Sequence, residues 1–117
     1  MAMSASRNEL YVVCQEDENP NYPGFKGSVY VIDMKKFEVK RIIYERFYQP
    51  HGIAVNEAKG ELYVASRNVD PNGPAPHHVS ECAGRNGYFH VIDLNTFQVL
   101  RSSSELSVDP YSVDIKE

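Results

Sequence analysis

Apolar residues in this chain fall in short, dense runs that do not alternate with polar ones. The clearest pair is Gly52-Ile53-Ala54-Val55 and Leu62-Tyr63-Val64-Ala65, separated by Asn56 to Gly60 and by Glu61. The spacing predicts a tight hairpin. A hairpin with one face in water alternates apolar and polar positions. These runs are apolar at nearly every position, so the sheet they build must be covered on both faces. Val, Ile, Tyr and Phe dominate the runs, as strands favour. No window carries a helical stripe of period 3.6. The expectation is therefore an all-β chain with antiparallel strands and no helix longer than two turns.

The runs recur. "NELYVV" at 8–13 matches "GELYVA" at 60–65, so that Leu10 and Leu62 lie 52 residues apart. "GSVYVIDMKKFEVKRI" at 27–42 matches "GYFHVIDLNTFQVLRS" at 87–102, and here Asp33 and Asp93 lie 60 apart. "QPHGIAV" at 49–55 matches "DPYSVDI" at 109–115, again 60 apart at Pro50 and Pro110. The offset grows by eight in one place only, so one loop is eight residues longer in the second copy. Each unit holds four strand-like runs, at about 51–56, 61–67, 87–94 and 97–103 in the complete copy. Lys35-Lys36 and Asn95-Thr96 read as the turns of matching hairpins. The unit is a four-stranded antiparallel meander. Copies stacked face to face would cover both apolar faces, as the blades of a β-propeller do.

The pattern "Pro-x-Gly-Ile-Ala-Val … Glu-Leu-Tyr-Val-Ala … Val-x-Val-Ile-Asp" resembles the YVTN-type repeat, related in shape to NHL and WD40 repeats, over nearly all of Asn8 to Ile115. The resemblance implies a β-propeller in which "Gly-Ile-Ala-Val" is the innermost strand of a blade. It also implies a cell-envelope setting: periplasmic, cell-surface or secreted. The chain departs from the family at Asn56 to Gly60, which replaces a Pro-Asp-Gly turn, and in the long loops after Val13 and Ser66. Propellers host many activities, so the resemblance speaks to fold more than to function.

Strand counting gives an incomplete ring. Residues 1–8 read as an N-terminal tail and 9–43 as strands two to four of a first blade. Residues 51–103 read as a complete blade and 111–115 as the inner strand of the next. That is two blades' worth in permuted strand order, whereas closed propellers have typically 4–8 blades. The chain is thus a partial propeller or a ring-forming protomer. Its expected partners are further blades, from the same chain family or from identical copies. Tyr111 to Ile115 would pair beside Leu10 to Val13 of a neighbour.

Composition narrows the classes. A chain of 117 residues, 42% hydrophobic and 24% charged, suits one globular domain. The net charge of −4 gives no reason to expect nucleic acid as partner. No apolar run approaches the ~20 residues of a spanning helix. The opening "MAMSASRNEL" has no apolar core of a signal peptide.

Candidate chemistry gathers in the two long loops, 15–26 and 67–86, which in a propeller share one face. Loops of this length commonly bind a ligand. His77, His78 and Cys82, with His51 on the same face, offer imidazole and thiolate donors suited to Zn or Cu. The spacing matches no standard zinc module, and plain surface roles compete with this reading. Arg67 and Arg85 flank the second loop and could meet an anionic group. Cys14 and Cys82 are candidates for a disulfide closing 68 residues, worth about 4 kcal/mol on chain entropy. The alternative is that Cys14 is a small buried residue at a strand end. Asp33 and Asp93 occupy repeat positions that suit turn capping, and His90 stands where the first copy has Tyr30, a packing position. No Ser-His-Asp set, P-loop or dinucleotide motif is present. Two readings remain. The first is a non-catalytic binding or scaffold propeller whose long-loop face engages a protein, peptide or glycan. The second is a metal-binding or enzymatic propeller with a His/Cys site at the channel mouth.

Overall fold

The computed structural model describes residues 1–66 and 88–103. Within them the chain forms eight strands: β1 (Ala2–Ser4), β2 (Glu9–Glu18), β3 (Lys26–Asp33), β4 (Glu38–Ile43), β5 (Pro50–Asn56), β6 (Glu61–Ser66), β7 (Tyr88–Asp93) and β8 (Val99–Ser103). They make two four-stranded sheets, ordered β1-β2-β3-β4 and β5-β6-β7-β8, with every pairing antiparallel. Among the described residues there is no helix.

The same local chemistry builds both sheets. Asn8 (φ 52°) and Gly60 (φ 64°) take left-handed backbone to close the first hairpin of each. Their N–H groups donate to Ala5 and Glu57 carbonyls, and their carbonyls accept from Met34 and Leu94. Asp33 Oδ1 accepts from the N–H groups of Lys35 and Lys36, and Asp93 Oδ1 from those of Asn95 and Thr96. Those bonds hold the Asp33 carboxyl below the ordinary carboxylate range. Phe37 (φ 54°) and Phe97 (φ 58°) then reverse the chain into the last strand of each sheet. The two aspartates are turn caps.

The first sheet corrects the expected strand count. Residues 1–8 are not a tail. Ala2, Met3 and Ser4 pair with Tyr11, Leu10 and Glu9, supplying the inner strand that the first unit was read as lacking. The described residues therefore hold two four-stranded units, not a three-strand remnant followed by a complete unit. The edge beside Leu10 and Tyr11, assigned above to Tyr111 to Ile115 of a neighbour, is occupied by β1. Residues 111–115 themselves lie outside the described residues. The signal for β1 was in the sequence: "MAMS" at 1–4 stands 52 residues before "IAVN" at 53–56.

The register decides which faces meet. Tyr11, Val29, Val31 and Ile43 of the first sheet join Leu62, Val64, Ile92 and Leu94 in one buried cluster, with Phe47 from the connection between the sheets. In the repeat, Tyr11 corresponds to Tyr63 and Leu10 to Leu62. The first sheet thus uses its tyrosine face and the second its leucine face. Burial of such side chains contributes about 25 cal/mol per Å² of apolar area.

Polar networks repeat as well. In the first sheet the Tyr11 hydroxyl donates to Glu9 Oε1 (2.7 Å) and Lys40 Nζ to Glu9 Oε2 (2.6 Å). In the second the Tyr63 hydroxyl donates to Glu61 Oε1 (3.0 Å), while Arg101 reaches Glu61 Oε2 (3.4 Å). Glu9 and Glu61 are both buried, and a buried carboxylate needs such partners. Burial, followed by the Glu9 carboxylate, drives the Tyr11 phenol above its ordinary range. A polar latch joins the sheets at one end: Ser4 Oγ donates to Glu57 Oε1 (2.7 Å), and Arg7 donates to the Leu94 carbonyl and to Asn95 Oδ1.

Candidate functional site

The segment 15–26, expected as a long loop, is strand at its two ends, and residues 19–25 form the loop. β2 runs to Glu18 and β3 begins at Lys26, leaving a seven-residue loop at the tip. The pairing passes from Cys14↔Ser28 to Glu18↔Lys26, so three residues of β2 oppose one of β3 in a bulge. That residue is Gly27, with φ of 102°. A Cβ there would overlap the Pro50 ring and lie 3.0 Å from the Cys14 carbonyl oxygen. Glycine permits both the backbone angle and the close approach.

Glu16-Asp17-Glu18 form an acidic run at the end of β2. It stays extended because the first two carboxylates find partners. Lys26 Nζ donates to Glu16 Oε2 (3.0 Å), Gln49 Nε2 to Glu16 Oε1 (2.7 Å) and Ser28 Oγ to Asp17 Oδ2 (2.7 Å). The bond from Lys26, then that from Gln49, holds the Glu16 carboxyl below its usual range. At the tip, Asn19 Oδ1 accepts from the Asn21 and Tyr22 N–H groups, and its amide donates to the Glu45 carbonyl (2.6 Å). Lys26 also bridges Tyr48 in parallel fashion, through bonds from Lys26 N to the Phe47 carbonyl and from Gln49 N to the Lys26 carbonyl. The result is a rigid tongue sewn to the connection between the sheets.

Beside this tongue lies an open groove of about 340 Å³, lined by Glu18, Asn19, Gly24, Phe25, Lys26 and Tyr48. Phe25 is fixed edge-on against Tyr22 (6.5 Å between ring centres) and Tyr88 (5.8 Å). Two aromatic side chains thus stand next to one carboxylate and one ammonium. Aromatic walls with few oriented polar groups are the usual make-up of a ligand site.

His51 sits at the start of β5 on the same side, its Nδ1 hydrogen-bonded with Gln15 Nε2 (2.9 Å). The Gln15–His51 and Glu16–Gln49 contacts bring the connection into β5 beside the end of β2. The other candidate residues, Arg67, His77, His78, Cys82 and Arg85, lie outside the described residues. So does one end of the Cys14–Cys82 pairing. Cys14 carries a free thiol, which burial, and then Asp17, pushes above its ordinary range. Among the described residues no group of three or more His, Cys, Asp or Glu side chains could hold a metal ion. The groove residues Phe25 and Tyr48 were not among the expected site residues. The aromatic content of "NYPGF" and "RFYQP" was the available signal.

A second, smaller hollow of about 150 Å³ is lined by Tyr22, Glu45, Arg46, His90, Val99 and Ser102. His90 is buried there, edge-on to Phe47 at 5.0 Å, as its repeat position suggested. Burial, followed by the Arg46 charge, lowers its pKa to about 4. The sign follows from linkage: the unfolded chain takes up a proton near pH 6.5, the folded one only near 4. Stability from neutral His90 is therefore complete above 6.5 and falls as the pH drops towards 4. The expected loss is about 3 kcal/mol at ~1.4 kcal/mol per pH unit. Glu45, whose carboxyl burial pushes upward, opposes part of it. Urea midpoints measured at several pH values should show the slope in the natural chain and a shallower one in His90→Gln. Equal slopes would assign the acid sensitivity elsewhere.

No curated protein matches this chain. Residues 47–68, which hold Phe47, Tyr48, β5 and β6, match the NHL repeat, a repeat associated with β-propellers.

Proposed function

We propose that the chain supplies two blades of a β-propeller-type binding module and engages its ligand at the tongue groove. The carrying observation is the juxtaposition of Phe25 and Tyr48 with Glu18 and Lys26 on a braced hairpin, inside and beside the NHL match. The sheets provide the rigid base, and the tongue provides chemistry that a blade core does not need. The ligand class that suits the groove best is an exposed peptide segment of a partner protein. Its apolar side chain would rest against the rings, and its charged groups would face Glu18 and Lys26. Fixed aromatic side chains give contact area at little entropic cost.

The test is a screen of peptide and glycan arrays with the natural chain and with Tyr48→Ala. The substitution leaves the Lys26–Tyr48 bridge intact, because that bridge is made by backbone. A captured peptide whose affinity drops about tenfold or more in Tyr48→Ala supports the reading, since aromatic anchors commonly carry such effects. A peptide bound equally by both proteins, or capture of glycans alone, would overturn it.

A further inference from the structure

The two sheets meet through an interface of which each sheet shows only one half. The tyrosine face of the first sheet is covered by the leucine face of the second. By the repeat, the second sheet's outer face carries Tyr63 and Phe89, both half-buried, where the first buries Tyr11 and Val29; Val91, the equivalent of Val31, is itself buried. The first sheet's outer face carries Leu10, Val12 and Ile32 where the second buries Leu62, Val64 and Ile92. All three are only partly buried in the first sheet, whereas their equivalents are fully buried in the second. Leu10, Val12 and Ile32 on one outer face and Tyr63 and Phe89 on the other thus stand as the halves of an interface already present inside the molecule.

The sharpest sign is Phe37. Its equivalent, Phe97, packs against the core with the Arg41 guanidinium 4.9 Å from its ring centre. Phe37 adopts the same positive φ, a costly state for a bulky residue, yet is 84% exposed. Arg101, the repeat equivalent of Arg41, lies exposed on the second sheet, in position to cover a Phe37 that is not its own. Met3, equivalent to the packed Val55, is 53% exposed, and Ile42 on the opposite edge strand of the same sheet is 36% exposed.

We infer that the first sheet's outer face docks on the second sheet's outer face of another copy of this chain, with Arg101 over the partner's Phe37 ring. The contact is heterologous, joining different patches on the two copies, so it builds rings if the rotation closes and open stacks if it does not. The polar latch does not carry over. Ala5 stands where Glu57 accepts from Ser4 and Ser6, and Lys59 would face Lys35. Association between copies is therefore weaker than the joint within one. This inference rests on the two-blade reading above but not on the groove, and the two fail separately, because Tyr48→Ala leaves both outer faces unchanged.

The experiment is light scattering on the full chain across a concentration series, with two variants. Phe37→Asn keeps a residue that tolerates positive φ and removes the ring; paired with Met3→Glu it blocks the first face. Phe89→Glu blocks the second. The natural chain is expected to scatter as a multiple of 13.3 kDa and each blocked protein as a monomer, with association weakened about tenfold or more. Circular dichroism checks that each variant is folded. Mixing the two blocked proteins should restore a one-to-one pair, because each retains one good face. A natural chain that stays at 13.3 kDa throughout, or folded variants that fail to pair on mixing, would overturn the inference.

Discussion

Gly27→Ala is expected to lower stability by about 3–5 kcal/mol, among the largest effects of any single substitution in the chain. Two penalties add. An alanine at φ of 102° is held in backbone that L side chains rarely adopt, a cost of about 1–3 kcal/mol. Its Cβ would also press on the Pro50 ring and on the Cys14 carbonyl oxygen at 3.0 Å, and overpacking costs about 1–3 kcal/mol. Neither neighbour gives way easily, since one is a closed ring and the other is backbone paired in a sheet. Gly24 is the control. Its φ of 92° is equally unusual, but nothing lies within 4 Å of the position a Cβ would take. Gly24→Ala should therefore incur the backbone cost alone. Urea titration of both variants checks the difference, and equal midpoints would show that the approach of Pro50 to the bulge has been misjudged.

Phe47→Ala is expected to cost about 3–5 kcal/mol, the usual range for emptying a buried aromatic site. Phe47 belongs to neither sheet, yet it is fully buried in the cluster between them and stacks edge-on against His90. Its backbone is committed too, accepting from Lys26 N at 3.1 Å. The side chain therefore joins three things: the connection between the sheets, the buried face of the second sheet and the root of the tongue. Its loss should weaken all three together. Thermal unfolding should show a single transition at lower temperature, and a drop below about 1 kcal/mol would mean that the sheets hold together without this plug.

How much of this was legible in the sequence differs from element to element. The meander and its turns were readable because identical chemistry recurs at fixed offsets: Asp33 and Asp93 cap equivalent turns, and Glu9 and Glu61 receive equivalent tyrosines. Runs such as Leu62 to Ala65 leave no polar side and so called for cover on both faces; among the described residues the cluster between the sheets covers one face of each. β1 was missed because Ala, Met and Ser have little strand character. Only its place 52 residues before Ala54 to Asn56 marks it. The tongue was missed because the run of acids at 16–18 suggests solvation, whereas Lys26, Gln49 and Ser28 lie elsewhere in the sequence and meet Glu16 and Asp17 only in the fold. The groove was illegible for the same reason, since Phe25 and Tyr48 come together only through the bridge between Lys26 and Tyr48. Most of the expected site residues fall at 67–86, outside the described residues.

The placing of the outer faces depends on which faces of the two sheets meet. The most direct measurement is a set of through-space proton contacts by nuclear magnetic resonance on the chain at low concentration. The account predicts contacts from the Tyr11 ring and the Val29 and Val31 methyls to the methyls of Leu62, Val64 and Ile92. Contacts from Leu10, Val12 and Ile32 to that same set, with Tyr11 left facing water, would contradict it.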